Sequence, residues 1–218
     1  MNAADLQIRL LTPADAASYR AIRLAGLKDA PEAFGSTFEA EAAKPLAWFF
    51  NRLTAAQIFG ALRGREVVGV AGFAVRDGEK EAHKGLLWGM YVRPDARGSG
   101  IARRLVEAVI DFARPRVELV QLSVVMGNEP ARRLYARLGF VEYGIEKNSL
   151  KQGDRYYDEI LMAKQITANG DHRSPSPPAW TAAVSPTCGP GLAVPAADRP
   201  SPDAIVGRRA STPGGPAA

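Results

Sequence analysis

The sequence predicts an α/β (α+β) domain over residues 1–165, a mixed sheet with helices on both faces, in the order βααβββαβαββ. Three observations carry this. Apolar residues recur with period 2 in some segments and period 3.6 in others, and the two kinds alternate along the chain. Residues 57–92 hold three strand-like runs separated by short polar turns, the mark of a meander. Both patterns stop near residue 165, beyond which ten of the sixteen prolines fall.

The elements follow in order. Gln7–Leu11 reads as a short strand. Thr12, Pro13 and Asp15 form a helix start, with threonine as cap and proline in the first turn, and that helix runs to about Leu27. Residues 36–52 read as helical, broken near Pro45. Gln57–Arg63 and Val67–Arg76 are strands joined by Arg63-Gly64-Arg65-Glu66, a hairpin turn, and Asp77-Gly78 marks the turn into a third strand, Lys84–Val92. Ser99–Arg114 is a helix with Ile101, Leu105, Ala108, Val109 and Phe112 on one face. Leu119–Val125 is a strand. Asn128 caps a helix bearing Ala131, Leu134, Tyr135 and Leu138, which Gly139 ends. Residues 140–146 and 155–163 complete the sheet, and Asp158-Glu159 reads as a solvated edge of the last strand.

Composition excludes some classes. The chain has 218 residues, 46% of them apolar, enough for a core. No apolar run approaches the length of a membrane span, and the first residues lack a signal-peptide pattern. The single Cys188 cannot form an internal disulfide, in keeping with a cytoplasmic location. The net charge of +5 suits an anionic partner such as a nucleotide cofactor. The basic residues are scattered and not interleaved with aromatics, which argues against nucleic acid. Residues 166–218, with Trp180 and Cys188, read as a disordered Pro-rich tail, either inert or a docking peptide.

Residues 90–104, MYVRPDARGSGIARR, carry the strongest signal. A strand runs into a loop with Gly98 and Gly100, and a helix begins at once. Glycines there let backbone approach a ligand closely, and the free N–H groups of the first helical turn, with the helix dipole behind them, suit a pyrophosphate. A dinucleotide fold needs its glycines directly after the strand and an acid at the end of the next strand. Here five residues separate Val92 from Gly98, and Glu118 precedes its strand. The Gly-Lys-Ser/Thr of a P-loop is absent.

The loop is followed by a second segment, Asn128-Glu129-Pro130-Ala131-Arg132-Arg133-Leu134-Tyr135-Ala136-Arg137-Leu138-Gly139-Phe140. Together the two resemble the GNAT family of acetyl-CoA-dependent N-acetyltransferases. The family's phosphate loop, Arg/Gln-x-x-Gly-x-Gly/Ala, is matched across Arg97–Ala102. Its second signature, Asn-x-x-Ala-x-x-x-Tyr-x-x-x-Gly-Phe, is matched by Asn128, Ala131, Tyr135, Gly139 and Phe140. The resemblance covers roughly residues 6–163 and implies a mixed, mostly antiparallel sheet.

It also implies site roles. Met90, Tyr91 and Val92 would offer backbone to the pantetheine arm, and Arg97, Gly98, Ser99, Gly100, Ile101 and Ala102 would hold the pyrophosphate. Arg97, Arg103 and Arg104 add charge or simply form a solvated helix face. Asn128 contacts the cofactor, caps its helix, or both. Tyr135 would protonate the departing thiolate. A phenol, with a pKa of about 10, suits that donation better than base work. Many family members carry a glutamate on the strand before the phosphate loop. Here Gly85-Leu86-Leu87-Trp88-Gly89-Met90 has no carboxylate, so the base is unassigned among His83, Glu142, Glu39 and a water chain. Phe34, Glu39, Trp88, Tyr156 and Tyr157 are candidates for an acceptor pocket. The co-substrate implied is acetyl-CoA with no metal. The acceptor is a small-molecule or protein amine, without nucleic acid or membrane, and a homodimer stays open. A GNAT module that binds acyl-CoA without transferring it remains the alternative to an enzyme.

Overall fold

The computed structural model describes residues 6–166, so the Pro-rich segment, Trp180 and Cys188 lie outside the described residues. The described chain forms β1 (Leu6–Leu10), α1 (Ala16–Asp29), α2 (Phe38–Ala42), α3 (Leu46–Ala55), β2 (Gln57–Arg63), β3 (Glu66–Val75), β4 (Lys84–Val92), α4 (Ile101–Ala113), β5 (Leu119–Val125), α5 (Glu129–Arg137), β6 (Val141–Gln152) and β7 (Arg155–Gln165). One seven-stranded sheet has the order β1-β2-β3-β4-β5-β7-β6. Every neighbouring pair is antiparallel except β4 and β5.

Local chemistry accounts for the boundaries. The Thr12 N–H donates to Asp15 Oδ2 (2.7 Å), and Arg9 donates to both Asp15 oxygens at 2.8 Å, tying β1 to the turn before α1. Arg9 holds the Asp15 carboxyl well below the usual carboxylate range. The single broken helix expected over 36–52 is two helices. Pro45 lacks an N–H to continue α2 and instead stands, in extended conformation, as the cap of α3. Strand β6 runs six residues past the expected end. Asn148, at φ 54°, interrupts its pairing with β7 between Glu146 and Leu150. The irregularity is held by the Asp158 carboxylate, which accepts from the Asn148 N–H (2.9 Å) and Lys147 Nζ (2.7 Å). It breaks the period-2 pattern, which hid the continuation.

Each face of the sheet has its own core. Leu105, Val106 and Val109 of α4 are fully buried against Phe59, Ala61, Val68, Ala71 and Phe73. On the other face, Tyr19 and Ile22 of α1 and Phe49 and Leu53 of α3 cover Ile58, Leu62, Val70 and Tyr91. A fully buried side chain of this size contributes about 1.5–3 kcal/mol. On this second face α1 and α3 pack over β2–β4, and the short helical turn Pro31–Ala33 reaches over to β5.

Two irregularities in β4 shape the middle of the sheet. Gly72 pairs with Trp88 but Val70 pairs with Tyr91, so β4 carries one extra residue opposite Ala71. Gly89 sits there at φ +61°, the conformation a bulge of this kind demands. On the other side, pairing with β5 stops after three residues, at Leu86↔Gln121. From there the two parallel strands part, and the gap between them passes through the sheet.

Candidate active site

A cleft of about 1530 Å³ fills this gap and opens on both faces of the sheet. On the α4 side it is walled by Met90, Val92, Arg97, Gly98, Gly100, Ile101 and Ala102, and by Asn128 and Tyr135. On the opposite side it is walled by Phe34, Trp88, Arg52 and Arg76, and by Gln121, Ser123, Tyr157 and Glu159 of β5 and β7.

The loop before α4 is built for close approach. Gly98 (φ +75°) and Gly100 (φ +80°) are both left-handed, and a Cβ built at either would meet nothing within 4 Å. The open space is the cleft itself. The Arg104 N–H donates to Gly100 C=O (3.1 Å), so the N–H groups ahead of it have no acceptor within the helix. Ser99 Oγ donates to Ala96 C=O (2.6 Å), which stitches the loop without lining the cleft. The Arg97 guanidinium is engaged by the protein. Its Nε donates to Val92 C=O (2.9 Å), its Nη2 bonds Asp29 (2.5 Å), and its cation stands 5.8 Å from the Tyr91 ring. It braces the loop against β4 and α1.

Helix α5 presents two of the expected residues. The Asn128 side chain accepts from the Ala131 N–H (3.2 Å), capping α5 while it lines the cleft. Tyr135 is 5% exposed and packs edge-on against Phe140, with ring centroids 5.7 Å apart. Burial alone pushes its phenol well above the ordinary value. The group is therefore held in its neutral, protonated form.

The candidate bases do not gather here. His83 is exposed, before the first residue of β4, at the closed end of the splay, where its carbonyl accepts from Glu118 and Leu119. Glu142 is bound to Arg132 on the surface. Glu39 is exposed in the first turn of α2. None of the three lines the cleft. Tyr156 is 54% exposed and faces Lys151, whereas Tyr157, on the other side of the strand, lines the cleft. Phe34 and Trp88 line it as well. Arg23 stands 5.0 Å over the Phe34 ring, and Arg52 stands between Trp48 and Trp88 at 4.9 and 5.0 Å. Arg76 Nε is buried in the same wall with no hydrogen-bond partner.

Glu159 departs from expectation. Leu122, Val124, Ile160 and Met162 point into the α4-side core, so Ser123 and Glu159 point to the opposite face. That face is also a wall of the cleft, where Ser123 is exposed and Glu159 half-buried. The Ser123 hydroxyl donates to one Glu159 oxygen (2.6 Å) and the Ser149 hydroxyl to the other (2.6 Å). Period-2 patterning assigns Glu159 to a polar face, and the splay of β4 from β5 makes that face a wall of the cleft. Among the described residues no group of three or more His, Cys, Asp or Glu side chains is placed to hold a metal. No described helix is long and apolar enough to cross a membrane.

A splayed parallel pair, a glycine loop opening onto a helix start, and a buried tyrosine on the next helix define an acetyltransferase of the GNAT class. The chain belongs to the acetyltransferase (GNAT) family, whose model matches residues 25–140, and is accordingly an acyltransferase enzyme. It is 34% identical over 130 residues to the N-alpha-acetyltransferase RimI of Mycobacterium tuberculosis, a match spanning 58% of this chain and 75% of that protein. The ribosomal-protein-alanine N-acetyltransferase of Brucella melitensis superposes with a TM-score of 0.62 at 28% identity, over 73% of this chain and 99% of that one. The structure of yncA from Salmonella typhimurium with its cofactor acetyl-CoA has the same fold, with a TM-score of 0.63 at 21% identity, over 78% of this chain and 99% of that one.

Proposed function

We propose that the enzyme moves an acetyl group from acetyl-CoA to a primary amine by direct attack within a ternary complex. The observation that carries this reading is the meeting of three features in one cleft: the unpaired length of β4, the loop 97–102, and Tyr135. The residues fit the co-substrate. Beyond the last β4–β5 pair, the β5-facing backbone over Met90, Tyr91 and Val92 suits an extended arm lying as a neighbouring strand would, apart from the Val92 carbonyl, which accepts from Arg97 Nε. The first-turn N–H groups of α4 suit a pyrophosphate. Tyr135, held neutral by burial, suits proton donation to the leaving sulfur. Holding donor and acceptor together supplies much of the rate. In the same reading, residues 1–165 form the transferase domain and residues 166–218 a Pro-rich extension.

The named relatives act on α-amines or on a ribosomal protein's alanine, which makes the N-terminal amine of a polypeptide the first acceptor to try. The test is amine-dependent release of coenzyme A thiol from acetyl-CoA, followed with a thiol reagent. The panel comprises a tripeptide with a free N-terminal alanine, spermidine and free lysine. Acetyl-CoA binding without thiol release from any of them would overturn the transferase reading in favour of a binding module.

Gly100→Ala probes the cradle. A side chain at φ +80° costs about 1–2 kcal/mol, so the loop must shift. The added methyl meets no protein atom, and any further loss reports the ligand's own space. The expected result by titration calorimetry is acetyl-CoA affinity about tenfold weaker, with secondary structure intact.

A further inference from the structure

We propose that Glu159 is the carboxylate that receives the acceptor's ammonium and takes its proton. The inference rests on the transferase reading above. Glu159 is a cleft-lining carboxylate fixed from both flanks, by Ser123 of β5 and Ser149 of β6. An ionised carboxylate offers about four lone-pair sites. Two hydroxyl donors, one to each oxygen, hold the group still and leave further sites for a cation. Its position follows from strand register. Glu159 pairs with Val125, the last residue of β5, and the Met126 N–H donates to Asp158 C=O (2.8 Å), so β7 accompanies β5 up to the turn that starts α5.

The placement complements Tyr135. Tyr135 belongs to the core on the α4 side of the sheet, and Glu159 faces the other side, with the β4–β5 opening between them. An amine entering from the face opposite α4 has Glu159 on the wall beside the opening. The strand that precedes the phosphate loop has no acid to offer, and β7 supplies one across the gap. The charged and titratable groups sharing this part of the cleft are Glu146 and Tyr143 of β6, Arg155 and Tyr157, and, across the cleft, Arg52 and Arg76.

The protons balance as follows. The ammonium gives one proton to Glu159. The freed nitrogen lone pair forms a bond to the thioester carbonyl carbon, and the carbon–sulfur bond breaks with its electron pair going to sulfur. The sulfur takes the Tyr135 proton. A second proton from the nitrogen restores Tyr135 through solvent, and Glu159 releases its proton to bulk. The products are an amide, the free thiol and one proton.

Glu159→Gln keeps the shape and one serine donor, while the other serine hydroxyl must turn to accept from the new amide N–H, and the base is removed. On the amine from the panel that the wild type uses best, kcat/KM at neutral pH is expected to fall about 100-fold. The deficit should shrink as pH rises and the amine arrives already deprotonated. Acetyl-CoA affinity, measured by calorimetry, should stay within twofold. Ser123→Ala with Ser149→Ala, which loosens the carboxylate without removing it, should give a smaller loss. A Glu159→Gln enzyme as active as wild type, or one with the same deficit at every pH, overturns the role of Glu159. Absence of thiol release by the wild type overturns the transferase reading instead.

Discussion

Tyr135→Phe is expected to lower turnover of acetyl transfer by about 100-fold or more while leaving acetyl-CoA affinity within about threefold. The substitution removes one oxygen and nothing else. The ring stays on Phe140, and the helix keeps its apolar face. What disappears is the only proton the buried phenol can offer to the departing sulfur. Burial holds that phenol in its neutral form, the state a proton donor needs. Steady-state kinetics with calorimetry separates the two effects. A fall in kcat with unchanged binding marks an interaction made only in the transition state. A loss of less than about threefold in kcat would make Tyr135 a core residue alone.

Glu41→Ala is expected to cost about 3–5 kcal/mol of stability, lowering the melting midpoint by roughly 10 °C. Arg23 and Glu41 are 7% and 2% exposed and form a forked pair, Nε to Oε2 at 2.9 Å and Nη2 to Oε1 at 2.6 Å. Burial raises the Glu41 pKa, but the hydrogen bond and charge of Arg23, with Ser36 and Arg52, outweigh it and hold the carboxyl below its ordinary value. Truncating Glu41 leaves the Arg23 cation buried without its forked partner. Replacing both, Arg23→Met with Glu41→Leu, should cost less than the single change, because no charge is then stranded. Denaturant unfolding of the single and double variants checks this. The pair joins α1 to α2 and sets Arg23 over Phe34, so the double variant should also weaken acceptor binding.

Much of this was legible in the chain. The loop 97–102 and the Asn128–Phe140 segment are local patterns, and local patterns survive in one dimension. The element order was legible for the same reason, the break at Pro45 included, apart from one place where a single residue breaks the period. Asn148 disguises the second half of β6. The cleft wall opposite α4 was not legible, because it is made in space rather than along the chain. Glu159 alternates correctly for an outward-facing polar residue, and nothing in β7 tells that β4 has swung away from β5 beside it. Trp88 and Tyr91 share a face despite being three residues apart. The extra residue at Gly89 shifts the phase of the strand, a displacement that alternation counting misreads. Arg23 and Glu41 are separated by 18 positions, and neither carries a sign of its partner.

The parting of β4 from β5 has a further meaning for the protein's upkeep. Two strands joined over three residues present edges to each other within the sheet, with main-chain donors and acceptors ready to pair. Such a slot does not distinguish by origin among extended chains that fit it. The arm of a small molecule can lie there, and so can a stretch of another polypeptide. A guest lying in the slot is therefore expected to keep foreign strands out. The expected result is slower aggregation on storage with acetyl-CoA added than without it, followed by light scattering.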